Sequence, residues 1–145
     1  MAEGHRGKPL FLDANILMYA VGKDHPNRES CREVLRRIEA DDLTVVTSVE
    51  VLQELLHRYR SLGQPDLATT IYRAAKDLCE EILAVTEEDL DHAHEILQAH
   101  ASISVRDAVH AATALRCGIK SILSTDHHFD DLPEITRLNP VELVG

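Results

Sequence analysis

Leu10-Phe11-Leu12-Asp13-Ala14-Asn15-Ile16-Leu17-Met18-Tyr19-Ala20 is the stretch that decides the fold. The apolar run Leu10 to Leu12 stops at the polar group Asp13 to Asn15, and Ile16 to Ala20 then reads as a short helix, so the segment is a strand-to-helix turn. The alternation recurs downstream. Asn27 is placed to cap a helix from about Arg28 to Ala40, with Val34, Leu35 and Ile38 as its apolar stripe. Leu43 to Val46, rich in β-branched residues, reads as a second strand, and Ser48 caps a helix to about Leu62 that Gly63 stops. Pro65 opens a helix through Cys79, and Ile82 to Val85 reads as a third strand. Thr86 and Asp89 have capping-box spacing for a helix to about His100. Ser104 caps the next helix, which keeps Val105, Val109, Ala112 and Leu115 on one face and ends at Gly118. Ser121 to Leu123 reads as a fourth strand, His127 to Pro133 as a loop, and Thr136 to Leu138 as a short fifth strand.

Apolar strands separated by helices require parallel pairing with crossover helices. The expected fold is a three-layer α/β/α sandwich around a central parallel sheet of four to five strands, and such sheets bind ligands at the carboxyl ends of their strands.

Composition narrows the class further. With 145 residues, 44% apolar and 28% charged, the chain is expected to form one domain over residues 1–145, with residues 1–8 as a flexible N-terminal extension. Aromatics are only 3% and Trp is absent, so the core must be aliphatic. The 25 acidic residues outnumber the 15 basic ones, giving a formal charge of −10. A protein that held nucleic acid by phosphate neutralisation alone would be basic, so a nucleic-acid function here needs cations to offset the acids. Cys31, Cys79 and Cys117 form no C-x-x-C pair, which excludes a cysteine zinc site and a disulfide framework and fits a reducing cytoplasm. The opening MAEGHRGK has no apolar core of a signal peptide, and no segment approaches the roughly 18 apolar residues of a membrane span.

Two expected strands run into a carboxylate: Asp13 closes the first, and Asp126 follows the fourth. Asp107 falls in the first turn of the helix before the fourth strand, and Glu54 in the helix after the second. Crowded carboxylates repel unless some are protonated or divalent cations offset them, and an all-oxygen set suits Mg²⁺ or Mn²⁺ rather than zinc. Each acid also has a purely structural reading: Asp13 or Asn15 as a helix cap, Asp107 as part of a capping box with Ser104, Glu54 as a solvated helix residue and Asp126 as a turn residue.

In this order the segments resemble the PIN domain, the nuclease fold of the VapC toxins of toxin–antitoxin pairs. Phe11-Leu12-Asp13-Ala14-Asn15-Ile16-Leu17 is similar to the family's opening motif, and Thr47 to Leu55 to its second, with Glu54 as the acid. Arg106 to Leu115 resembles the third, with Asp107 as the acid, and Ile122 to Asp130 the fourth, with Ser124 two residues before Asp126 and Phe129 three after it. Thr136 to Pro140 is similar to the terminal strand.

The resemblance implies metal-dependent endonucleolytic cleavage of RNA to a 5′-phosphate and a 3′-hydroxyl. Asp13, Glu54, Asp107 and Asp126 would be catalytic and hold Mg²⁺ or Mn²⁺, which lowers the pKa of a water and balances transition-state charge. Asn15, Ser48 and Ser124 would support them. Arg58, Arg60 and His127 are candidate substrate contacts, as are Lys23, His25 and Arg28 for flanking phosphates. Glu50, Asp130 and Asp131 have no settled role. His110, three residues after Asp107, lies on a neighbouring face, where it either brushes the site or, as the favoured reading, packs, and His92 with His94 makes a poor zinc pair because residues two apart on a helix diverge. The implied partners are an RNA substrate, a cognate antitoxin and a second copy of the chain, with apolar helix stripes between Asn27 and Cys79 as candidate surfaces. Two further readings remain: a PIN ribonuclease outside any toxin pair, and a non-catalytic PIN scaffold. A HAD-type phosphatase would want an acid where Asn15 stands, and no G-x-x-x-x-G-K-[ST] loop is present.

Overall fold

The computed structural model describes residues 8–144, so most of the expected N-terminal extension lies outside the described residues. Five strands are present: β1 (Leu10–Leu12), β2 (Val45–Ser48), β3 (Ile82–Leu83), β4 (Ser121–Leu123) and β5 (Thr136–Leu138). They form one sheet in the order β3-β2-β1-β4-β5, and every pairing is parallel. The helices are α1 (Ala14–Val21), α2 (Arg28–Glu39), α3 (Val49–Ser61), α4 (Pro65–Leu78), α5 (Glu87–Ala99), α6 (Val105–Arg116) and α7 (Pro140–Val144), with a 3₁₀ turn at His127–Asp131. The expected α/β/α architecture is therefore what the chain adopts.

Burial on both faces explains why the strands read as unbroken apolar runs rather than alternating ones. Phe11, Leu12, Ile122 and Leu123 are fully buried, and each such side chain contributes roughly 1.5–3 kcal/mol of transfer free energy. Around them α5 packs on α6, α3 on α4, and α2 on both α1 and α7.

Most boundaries follow local chemistry. Thr86 and Asp89 form the reciprocal capping box, Ser104 accepts from the Asp107 amide at 3.1 Å, and Gly63 and Gly118 take φ of 73° and 77° just past α3 and α6. Others are corrected. The second strand covers Val45–Ser48 instead of Leu43–Val46, because Thr47 N donates to Glu81 O at 3.2 Å and its ladder follows β3. The third strand ends at Leu83 because Ala84 O accepts from Arg116 Nη2 at 2.9 Å and leaves the ladder. The first helix starts at Ala14, two residues early, since Asp13 caps it. Asn27 makes no side-chain cap; its amide donates to His25 Nδ1 at 3.0 Å and its carbonyl accepts from Ser30 Oγ.

The sheet order places the site. From the central β1 the chain moves outward to β2 and β3, then returns to the other side for β4 and β5. The connection changes direction between β1 and β4, the position at which open α/β sheets splay their loops and leave a crevice. Because Leu12 registers with Leu123, the next residues, Asp13 and Ser124, face each other across that crevice.

Candidate active site

Asp13 lies at the bottom of the crevice and is 3% exposed. Its Oδ1 accepts from the Ala14 amide at 2.7 Å, and its Oδ2 accepts from Ser124 Oγ at 2.7 Å and Asn15 Nδ2 at 3.2 Å. Asn15 Nδ2 also reaches Ser124 Oγ at 3.1 Å, and Asn15 Oδ1 accepts from the Thr125 amide at 3.3 Å. Ser124 Oγ in turn accepts from the Asp126 amide at 3.0 Å, so one hydroxyl ties the carboxylate after β1 to the loop after β4. Burial lifts the Asp13 carboxyl above its usual range, against the opposing pull of His110 and the Ser124 hydroxyl. Asp13 thus caps α1 and points into the crevice at once; the structural and functional readings do not compete.

Glu54 enters from α3. Its Oε1 lies 3.3 Å from Nε2 of His110, and the same nitrogen is 3.9 Å from Asp13 Oδ1. His110 is fully buried on α6, its ring tilted against Phe11 at 5.5 Å, and its Nδ1 has no hydrogen-bond partner. The expectation that His110 merely packs is corrected: it sits between two of the acids. Burial disfavours its charged form, but the hydrogen bond to Glu54 and the fields of Asp13 and Asp107 outweigh that and raise its pKa. On the solvent side of Glu54, Arg106 Nη1 is 3.7 Å from Oε2, and Arg106 Nε is 3.7 Å from Glu50 Oε2. Glu50 therefore faces Arg106, one turn before Glu54 on α3.

Asp107 and Asp126 meet through a side-chain hydrogen bond. Burial and that bond push Asp107 up to about 8, with the charges of Asp13 and Asp126 adding to the rise. Ser104 caps α6, but the Asp107 carboxyl turns to Asp126 rather than closing a capping box. Burial raises the Asp126 pKa, but hydrogen bonds from Asp107 and from the amide and Nδ1 of His128, each 3.0 Å away, overcome it and hold Asp126 low. Asp13 feels the charge of Glu54, and Asp107 those of Asp13 and Asp126; of the four acids, Asp13 and Glu54 have ligand atoms within 4.8 Å of each other.

The remaining expected residues divide. Ser48 is fully buried and accepts from the Val51 amide at 3.3 Å, capping α3 and so aiming the helix that carries Glu54. Arg58 and Arg60 are exposed in the last turn of α3, and neither pairs with an acid of the site among the described residues. His127 is exposed and stacks on His128 at 4.5 Å; it is His128 that touches Asp126. Asp130 pairs with Arg137, whose Nε and Nη2 reach its two oxygens at 3.0 and 3.1 Å while Nη1 donates to Ser124 O at 3.2 Å. This fork braces the Asp126 loop against β5. Asp131 accepts from the Ser102 hydroxyl.

A divalent cation fits this chemistry. Ligand atoms of Asp13, Glu54 and His110 all lie within 4.8 Å of one another, with Asp13 and His110 buried and Glu54 half-buried. His110 and Arg106 face these carboxylates, and a bound cation would add its positive charge at the same place.

The PIN domain family model matches residues 10–135, the span that holds β1 to β4 and every acid above. The chain belongs to the PIN domain family. Ribonuclease VapC23 of Mycobacterium tuberculosis is 38% identical to this PIN domain over 121 residues, covering 81% of this chain and 93% of the relative. Two solved structures share the fold. VapC20 of Mycobacterium tuberculosis, described as a sarcin-ricin loop cleaving toxin, superposes with a TM-score of 0.69 at 20% identity, covering 86% of this chain and 95% of that one. A toxin–antitoxin complex from Klebsiella pneumoniae gives a TM-score of 0.64 at 15% identity, covering 90% and 97%.

The PIN motifs also pointed to Asn15 and Ser124, which bond Asp13, but not to the roles of His110 and Arg106. His110 and Arg106 flank Asp107 on one helix, and the three-residue step from Asp107 to His110 places both on one face; that spacing was the available signal. Arg137 carries no such signal, because its partners Asp130 and Ser124 are set by the pairing of β4 with β5.

Proposed function

We propose that this PIN domain is a Mg²⁺- or Mn²⁺-dependent endoribonuclease, the toxin of a VapBC-type pair held inactive by a cognate antitoxin, working in the cytoplasm as a homodimer. No helix of the described residues is long and apolar enough to cross a membrane, in keeping with that compartment. The observation that carries the reading is the grouping of Asp13, Glu54 and His110, whose ligand atoms lie within 4.8 Å of one another at the end of β1, with Asp107 in the field of Asp13. The relative's name and the VapC20 structure support RNA as the substrate, and the Klebsiella complex supports an antitoxin.

Asp13, Glu54, Asp107 and Asp126 would hold the cation, and Asn15 and Ser124 fix the rotamer of Asp13 through hydrogen bonds to its Oδ2. When bound, the cation supplies Lewis acidity and balances the charge that builds on the phosphate. Its positive charge would also offset the acids locally, so that a chain of net charge −10 could accept a phosphodiester there. Water adds to phosphorus, the bond to the 3′ oxygen breaks, and the products are a 5′-phosphate and a 3′-hydroxyl. Asp107 exchanges a proton with its surroundings near neutrality, because its pKa is about 8 before the cation arrives.

Incubating the purified protein with labelled single-stranded RNA and Mn²⁺ tests the reading. Cleavage that EDTA and Asp126→Asn both abolish supports it; intact RNA across several sequences overturns it. Expression without a partner gene separates the toxin from a processing enzyme: growth arrest that Asp13→Asn relieves is the toxin's outcome.

A further inference from the structure

Arg106 is the only Arg or Lys that pairs with an acid of the site among the described residues. It projects from the first turn of α6, beside Asp107, and reaches across to α3. Its side chain is 49% exposed, its Nε and Nη1 each lie 3.7 Å from a carboxylate, and neither contact is short enough to be a hydrogen bond. The guanidinium is thus held by charge rather than locked by geometry, and about half of the side chain stays open to solvent.

We infer that Arg106 binds the RNA phosphate next to the scissile one, and that Glu50 and Glu54 hold it at the mouth of the crevice until the cation loads. The inference rests on the ribonuclease reading above. A cation at Glu54 takes over the charge that Arg106 answers, and two positive groups cannot both sit against one carboxylate at full strength. Arg106 loses its hold on Glu54, keeps Glu50 and turns its free donors outward. A phosphodiester arriving at the loaded site meets a planar fork of N–H donors matched to phosphate oxygens. Arg58 and Arg60, the residues the sequence favours for this task, have no such link to the acids.

Competition for Glu54 makes the two ligands of Arg106 respond in opposite directions. Arg106→Ala removes a positive charge from the cation's side of Glu54 and a phosphate contact from the RNA's side. In the absence of RNA, calorimetric titration of Arg106→Ala with Mn²⁺ is expected to show affinity about twofold to fivefold tighter than wild type, the size of one unit charge at this range in a water-like dielectric. On a single-stranded RNA of mixed sequence its KM is expected to rise roughly tenfold with kcat within about twofold, and the slope of log KM against log salt to flatten by about 0.7. Arg106→Lys, which keeps the charge but not the fork, is expected to recover the salt slope and only part of the KM.

An Arg106→Ala protein that binds Mn²⁺ and cleaves RNA with wild-type KM and salt slope overturns the role of Arg106 and leaves the ribonuclease reading standing. Weakened Mn²⁺ binding by the same variant also overturns it, because Arg106 would then be supporting the acids rather than competing for them. Wild-type protein that cleaves no RNA overturns the reading itself, and this inference with it.

Discussion

Nε2 of His110 lies 3.3 Å from Oε1 of Glu54, joining a fully buried ring on α6 to an acid on α3. Nδ1 of the same ring finds no acceptor, so in the neutral ring the proton belongs on Nε2, where it is donated to Glu54; the other tautomer would bury an unpaired N–H. His110 is therefore a positioning residue that sets the Glu54 carboxylate relative to Asp13.

Replacing this donor separates its hydrogen bond from its volume. His110→Gln keeps an N–H donor, and His110→Leu fills the space without one. The Leu variant is expected to lose roughly 10- to 100-fold in Mn²⁺ affinity and kcat, the usual cost of removing a hydrogen bond that orients a metal ligand, with Gln recovering much of it. Titration calorimetry and initial rates read the two quantities. Equal losses in both variants would show that packing against Phe11, not the hydrogen bond, is what matters.

The raised pKa of Asp107 makes the stability of the metal-free protein pH-dependent. Between the carboxyl's ordinary value of 3.8 and about 8 the folded state holds a proton that the unfolded state has released. Stability contributed by this group therefore falls as pH rises through that window. Urea midpoints in EDTA are expected to decrease from about pH 5 to about pH 8, and Asp107→Asn, neutral throughout, to flatten the decline and raise the midpoint at the upper end. A rising midpoint for the wild type over the same range would contradict the assignment.

A second buried polar network, away from the crevice, behaves in the opposite sense. Asp89 is 1% exposed; it accepts from Arg116 Nε at 2.7 Å, Thr113 Oγ1 at 3.3 Å and the Thr86 amide at 2.9 Å. Burial opposes its charge, but Arg116 and the Thr86 bonds prevail and hold its pKa below 3.8. Its contribution is fully present above that value and is lost as pH falls through the lowered one. Asp89→Ala is expected to cost about 2 kcal/mol at neutral pH, from the lost cap and the polar groups left unpaired, and to lose that deficit under acid. Chemical denaturation at neutral and at acid pH measures both.

The Arg137 fork predicts an effect on activity without a contact to the acids themselves. Removing it with Arg137→Ala frees Asp130 and the carbonyl of Ser124, both on the segment that leads to and from Asp126. Amide hydrogen exchange over residues 124–131 is expected to speed up and kcat to drop roughly tenfold. Asp131→Ala, which loses only its bond to Ser102 at the surface, serves as the comparison and is expected to stay near wild type.

Local chemistry made most of the fold legible. Apolar triplets buried on both faces announce parallel strands, and the Ser104 cap, the Thr86–Asp89 box and the two glycines of positive φ fix helix ends through contacts a few residues apart. The errors fall where distant partners intervene. β2 slid two residues because β3 supplies its ladder, and β3 stopped early because Arg116, from α6, takes the Ala84 carbonyl.

The same division runs through the site. Sequence alone placed Asp13, Glu54, Asp107 and Asp126 at strand ends and on helices, and their resemblance to the PIN motifs is what singled them out as candidates. Tertiary structure decided what each acid faces: Asp13 the Ser124 hydroxyl, Glu54 the His110 ring and Arg106, Asp107 the Asp126 carboxyl, Asp130 the Arg137 fork. The physical reason is that a side chain's reach is set by its own backbone, whereas charge and burial are sums over neighbours that only packing brings within a few ångströms.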